Sequence, residues 1–223
     1  MKPFSEINAK NWFRAATTVR KCFSSPPKSR PVKPVKKVLL VLAASLAWTA
    51  AASAQQHAID TGKSVMTVRV YKAGLFSALG HDHEIAAPIA GGTVDTAAHH
   101  VELHIHASSL RVHDRNVSEK DRDEIQKTML GSDVLDVEHY ADIVFRSASA
   151  KPAGPGAWSV RGDLRLHGQT RPVTVEAREK RGHYVGTSRF KQTDFGIKPV
   201  KVAGGTIQVK DEIRIEFDIQ LAR

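Results

Sequence analysis

Strict two-residue alternation constrains this chain more than any other feature. In EIRIEFDIQL, residues 212–221, Ile213, Ile215, Phe217, Ile219 and Leu221 fall on one face. Glu212, Arg214, Glu216, Asp218 and Gln220 fall on the other. Only a β-strand with one buried face turns that pattern into structure, because successive strand side chains point to opposite sides. The pattern recurs in AWSVRGDLRLHG, residues 157–168, with Trp158, Val160, Leu164 and Leu166 inward, and in VELHIH, 101–106, with Val101, Leu103 and Ile105 inward. Further strand candidates are 65–72, 91–96, 142–149, 172–179, 183–191 and 204–210. Glycine and proline clusters at 91–92, 151–156 and 204–205 punctuate them.

One segment departs from this period. SEKDRDEIQKTMLG, 118–131, opens on Ser118 as an N-cap with acidic residues in its first turn. It closes on Gly131, read as the residue just past the helix, and Ile125, Met129 and Leu130 make a narrow apolar face. About eight one-sided strands and one short helix predict an all-β fold, an antiparallel barrel or a two-sheet sandwich. A barrel of about eight strands encloses a space that side chains fill or one small ligand occupies.

The first 54 residues read differently. KKVLLVLAASLAWTAAASA, 36–54, has a basic start, an apolar run and Ala52-Ser53-Ala54, the order of a secretory signal cleaved after Ala54. The run is shorter than the ~20 apolar residues of a membrane span, so no stable span is expected after cleavage. Residues 1–35 are long and basic for such a leader, as if translation began at Val32 or Val35. Of the 33 Lys and Arg, ten precede residue 55, as does one of the 23 Asp and Glu. The remaining 169 residues carry 23 basic and 22 acidic side chains, a net of +1 against +10 for the whole chain. The basic balance belongs to the leader and gives no ground for nucleic-acid binding. Cys22 also lies in the leader, so the mature domain has no disulfide, thiolate ligand or cysteine nucleophile.

GDLRLHGQTRPVTVEA, 162–177, resembles the most specific signature of the YceI-like family. Further blocks fall in that family's order: a glycine-rich variant at 80–95, SDVLDVEHYADIVFRS at 132–147 after the Arg-Asp helix, and TDFGI at 193–197. The resemblance covers essentially all of 59–223. It implies a lipocalin-like antiparallel barrel, exported to the periplasm, that holds a polyisoprenoid or an isoprenoid-tailed quinone in its core without catalysis. Leu103, Ile105, Phe145, Trp158, Leu164, Leu166, Ile213, Ile215 and Phe217 would line it. In the helix block Glu124-Ile125 stands where the family has His-Leu, Val134-Leu135 where it has Phe-Phe, and Ala141 where it has proline. The smaller Val134-Leu135 pair would reshape the pocket. A homodimer is compatible with the sequence, and no cofactor beyond a bound lipid is required.

The alternative is a periplasmic metal-binding or stress-related protein built on GHDHEI, 80–85. His81 and His83 at i, i+2 would put two rings on one face of a strand, a geometry that zinc or copper can use. Glycine and proline flank the stretch, and 11 histidines make chance pairs common. A hydrogen-bonded polar turn at the barrel mouth is therefore preferred. His104 and His106, with Glu102, read as a solvated strand face. Asp194-Phe195-Gly196 lacks every companion of a kinase motif, and no nucleophile–base pair can be assembled for a hydrolase.

Overall fold

The computed structural model describes residues 56–73, 82–202 and 207–222. The predicted leader and His81 lie outside the described residues. The strands are β1 (Gln56–Ala58), β2 (Val65–Ala73), β3 (His83–Ala86), β4 (Gly91–Asp95), β5 (His100–His106), β6 (Arg111–Val112), β7 (Asp142–Gly154), β8 (Ala157–Leu166), β9 (Gln169–Lys180), β10 (His183–Lys191), β11 (Lys201–Val202) and β12 (Ile207–Gln220). A helix, α1 (Glu119–Leu130), lies between β6 and β7.

All strand pairs are antiparallel. Eleven strands follow one another in the order β1-β4-β5-β7-β8-β9-β10-β12-β2-β3-β6, and β11 pairs with β12 off that path. This exceeds the eight expected. The surplus is short: β1, β3, β6 and β11 have two to four residues, and the eight others have five or more. Just after β1 the sheet curls onto itself. Ile59 bridges Leu221, its N–H donates to Gly92 O at 3.0 Å, and the Ala222 N–H donates to Ala58 O at 2.8 Å. The segment thereby touches β4 on one side and the end of β12 on the other. The result is an antiparallel barrel, one of the two forms the alternation allows and the lipocalin-like one that the resemblance implies.

Two ends can be told apart. The turns at 95–100, 154–157 and 180–183 gather at a hairpin end. The β8–β9 turn, a 3-10 turn at Gln192–Phe195 and α1 gather at a helix end. His167-Gly168 and Arg181-Gly182 join their strands in tight turns with φ of 49° and 70°, and of 55° and 82°. Positive φ at both central residues is the type I′ geometry that matches strand twist.

The helix forms where its caps predict, with the Ser118 hydroxyl accepting from the Asp121 N–H at 3.2 Å. Gly131 differs from expectation. It is the C-cap itself, at φ −73° and ψ 177°, and its N–H donates to Lys127 O and Thr128 O. Met129 is buried, while Ile125 and Leu130 pack against the core. Gln126 ties the helix to the chain before it, donating to Leu110 O at 2.9 Å and accepting from the Val112 N–H at 2.8 Å.

The described parts of two expected strands, 204–210 and 212–221, form one strand, β12. The charged Lys210-Asp211-Glu212 run, where the two expected strands meet, is a register shift between Val209 and Ile213 within β12. The freed groups hold the Gln192–Phe195 turn. Asp211 accepts from the Thr193 N–H at 2.9 Å and its hydroxyl at 2.7 Å, and Gln192 donates to Lys210 O at 2.9 Å. That turn buries Phe195 completely, with its ring 5.2 Å from Phe190. TDFGI is therefore a structural plug.

Candidate binding cavity

Inward positions of β2, β5, β7, β8, β9, β10 and β12 surround a cavity of about 470 Å³. That volume falls in the range of sites for small organic ligands. Leu103, Ile105, Phe145, Trp158, Leu164, Leu166, Ile213, Ile215 and Phe217 all lie on its wall. The sequence reading omits Met66, Val68 and Val70 of β2, and Tyr184 and Phe190 of β10, which share the wall. Alternation in VMTVRVY would have identified the first three.

The wall keeps its few polar groups occupied. The Ser188 hydroxyl donates to Thr174 O at 2.8 Å, and the Gln192 amide is held by Lys210 O. Both donate to backbone carbonyls, which offsets the hydration these groups lose on burial. At the helix end Leu110, Met129, Leu135, Leu166 and Ile197 are buried. At the hairpin end the wall reaches solvent through His99 and Glu179, beside Asp95, Thr96 and Tyr184. Among the described residues the bore thus has an apolar lining at the helix end and a polar rim at the hairpin end.

Glycines shape the bore. A Cβ at Gly162 would stand 2.6 Å from the Phe145 ring, and one at Gly186 would stand 2.5 Å from the Phe217 ring. Each phenylalanine ring packs against a neighbouring glycine, in space that a larger residue there would fill. Strand glycine is costly in entropy, and close approach of another group is its usual reason.

His83 has another setting than the predicted polar turn at the mouth. It begins strand β3, whose partner there is Val70 near the helix end of β2. Its Nδ1 lies 2.6 Å from Asp114 Oδ2, and the Glu84 N–H donates to Asp114 Oδ1 at 2.7 Å. The Asp114 side chain is 2% exposed. His83 also borders a second hollow of about 340 Å³, which shares Val70, Ile85, Met129, Val134 and Gln192 with the main cavity. Among the described residues no group of three or more His, Cys, Asp or Glu is placed to hold a metal ion. His104 pairs with Glu102 and His106 with Asp142 on the outer face. No described helix is long and apolar enough to cross a membrane.

A family model for the YceI-like domain matches residues 57–221. The chain belongs to the YceI-like family. It is 29% identical over 196 residues to a UPF0312 protein of Vibrio cholerae, covering 82% of this chain and 98% of that protein. A UPF0312 protein of Vibrio parahaemolyticus is 28% identical over 187 residues, covering 78% of this chain and 93% of the relative. The crystal structure of Burkholderia cenocepacia BcnA shares the fold, with a TM-score of 0.57 and 20% identity, over 74% of this chain and 99% of that one.

The signature of this YceI-like chain now has a physical content. Gly162 makes room for Phe145, Leu164 and Leu166 face the cavity, and His167-Gly168 form the tight turn. The Tyr140 ring packs 4.5 Å from His167 over that turn, and Val173 and Val175 return to the wall. Val134 and Leu135, smaller than the family's usual pair, line the cavity toward its helix end.

Tyr184 reports on the rim of this YceI-like barrel. Burial pushes its hydroxyl above the ordinary tyrosine value, and the charge of Glu179 adds to the rise. Because the folded state keeps this proton to higher pH, the stability it contributes is complete below about 10, the ordinary value. That stability is lost as pH rises through the folded value. A phenolate absorbance titration, assigned by difference from Tyr184→Phe, should place the midpoint above that of free tyrosine. Glu179→Gln should lower it only part of the way, since burial remains. A midpoint at the free value would mean that the ring is not desolvated.

Proposed function

We infer that this protein is a periplasmic binding or carrier protein that holds the tail of an isoprenoid-type lipid, a polyisoprenoid or an isoprenoid quinone, inside the barrel. The observation that carries the reading is the cavity itself, about 470 Å³ and lined by aliphatic and aromatic side chains from floor to rim. Such a wall gains roughly 0.8 kcal/mol for each CH₂ it removes from water, and its polar groups are few. Membership of a family whose members are commonly described as isoprenoid-binding supports the same ligand class. Export on the leader ending at Ala54 would place the carrier in the periplasm. The reading involves no chemical step and no metal.

Native mass spectrometry of the protein purified from its own host, with solvent extraction of what it holds, tests this reading. The expected result is a retained apolar molecule with an isoprenoid tail. Protein that carries no lipid and takes none up would overturn it.

A further inference from the structure

The cavity wall reaches solvent at the hairpin end through His99 and Glu179, and a lipid whose tail fills the cavity can place its head there. The head then meets Asp95, Thr96, His99, Glu179 and Tyr184. Two of these five are carboxylates. Among the described residues that line the cavity there is no lysine or arginine. Nearby cations, Arg178 and Lys180, alternate with inward-facing Glu179 along β9 and so occupy the outward positions. Asp95 is fixed at the rim, its Oδ1 accepting from the N–H groups of Ala97 at 3.0 Å and Ala98 at 2.8 Å. Glu179 is close enough to Tyr184 for its charge to act on the phenol.

We propose that this cavity selects a chain with an uncharged, hydrogen-bonding head, such as an alcohol, an amide or a quinone carbonyl, over the same chain ending in phosphate. The proposal rests on the lipid-binding reading above and adds the class of head group to it. A phosphate brings between one and two negative charges into a rim that already holds two. An uncharged head suffers no such repulsion. Its oxygen can accept from the Tyr184 hydroxyl or from the His99 ring, and an alcohol or amide can donate to a carboxylate. One like-charge pair at close range in a surface dielectric corresponds to at least about tenfold in Kd.

The test uses the exported protein, stripped of lipid by solvent. It is titrated with all-trans geranylgeraniol and with geranylgeranyl monophosphate. Trp158, the one tryptophan after residue 54, lies on the cavity wall 6.2 Å from the Tyr184 ring and reports binding by its fluorescence. The alcohol should bind at least about tenfold more tightly than the phosphate. In the Asp95→Asn/Glu179→Gln variant the alcohol-to-phosphate ratio should fall severalfold. Equal or tighter binding of the phosphate overturns the proposal, as does a ratio that the variant leaves unchanged. Failure of both compounds to bind removes the lipid reading itself, and the head-group preference with it.

Discussion

Replacing Gly186 by alanine is expected to destabilise the barrel by about 3 kcal/mol, the upper end of what overpacking a closed interior costs. Elsewhere in a strand the same change is stabilising by roughly 0.5–1 kcal/mol, because alanine loses less backbone entropy on folding. The sign reverses here because the new methyl would meet three groups. It would overlap Glu176 O, stand 2.5 Å from the Phe217 ring and lie 3.0 Å from Ala177 Cα. Two of these are backbone of the paired strand β9, which cannot retreat without breaking the ladder joining Gly186 to Ala177. The ring could tilt, but only into the bore. Urea denaturation should show the loss, and the melting temperature should fall by roughly 10 °C for a domain of this size. Gly62→Ala is the control. Its nearest neighbour would be Asp60 Oδ1 at 3.6 Å, an ordinary contact, and its effect should stay within about 0.5 kcal/mol. Equal stability of the two variants would mean that Phe217 is not packed on the glycine.

That contact also shows where the sequence stops being informative. Alternation is a local signal, so the inward faces of 101–106, 157–168 and 212–221 can be read directly, and all nine expected lining residues stand on the cavity wall. What alternation conveys is that a face is apolar, not that the space behind it is empty. The packing of Phe145 and Phe217 against Gly162 and Gly186 is set by strand register across the sheet. The same distance problem misplaced the polar residues. His83, taken with its neighbours alone, reads as part of a hydrogen-bonded polar turn at the barrel mouth. Its ring in fact meets Asp114, 31 positions away, at the opposite end of the barrel from the polar rim. Lys210-Asp211-Glu212 spans the join between the expected strands 204–210 and 212–221. It is a bulge whose carbonyl and carboxylate are used by residues 192 and 193. Asp95 and Glu179 lie at or next to the ends of β4 and β9 and His99 in the turn before β5, and none is apolar, so an alternation of apolar residues passes over them. Only the turns that bring them together single them out.

Filling the bore should separate binding from folding. The Val160→Trp/Ile215→Trp variant places two indoles where a valine and an isoleucine now face the cavity from β8 and β12. In a packed core such a change would force off-rotamer side chains and cost several kcal/mol. Here the added atoms enter space that is already empty, and filling a void regains contacts that the wall lacks. Stability in urea should therefore change by less than about 1 kcal/mol, in contrast to the single methyl at Gly186. Lipid binding should respond in the opposite way. A tail excluded from even four methylenes' worth of wall loses about 3 kcal/mol, which is more than a hundredfold in affinity. The measurement is geranylgeraniol uptake by native mass spectrometry, with the Trp158 signal no longer unique in this variant. Full uptake by a folded double variant would mean that the chain binds on the outside of the barrel. Loss of uptake with stability retained would show that the hollow serves the ligand and that the fold does not require it.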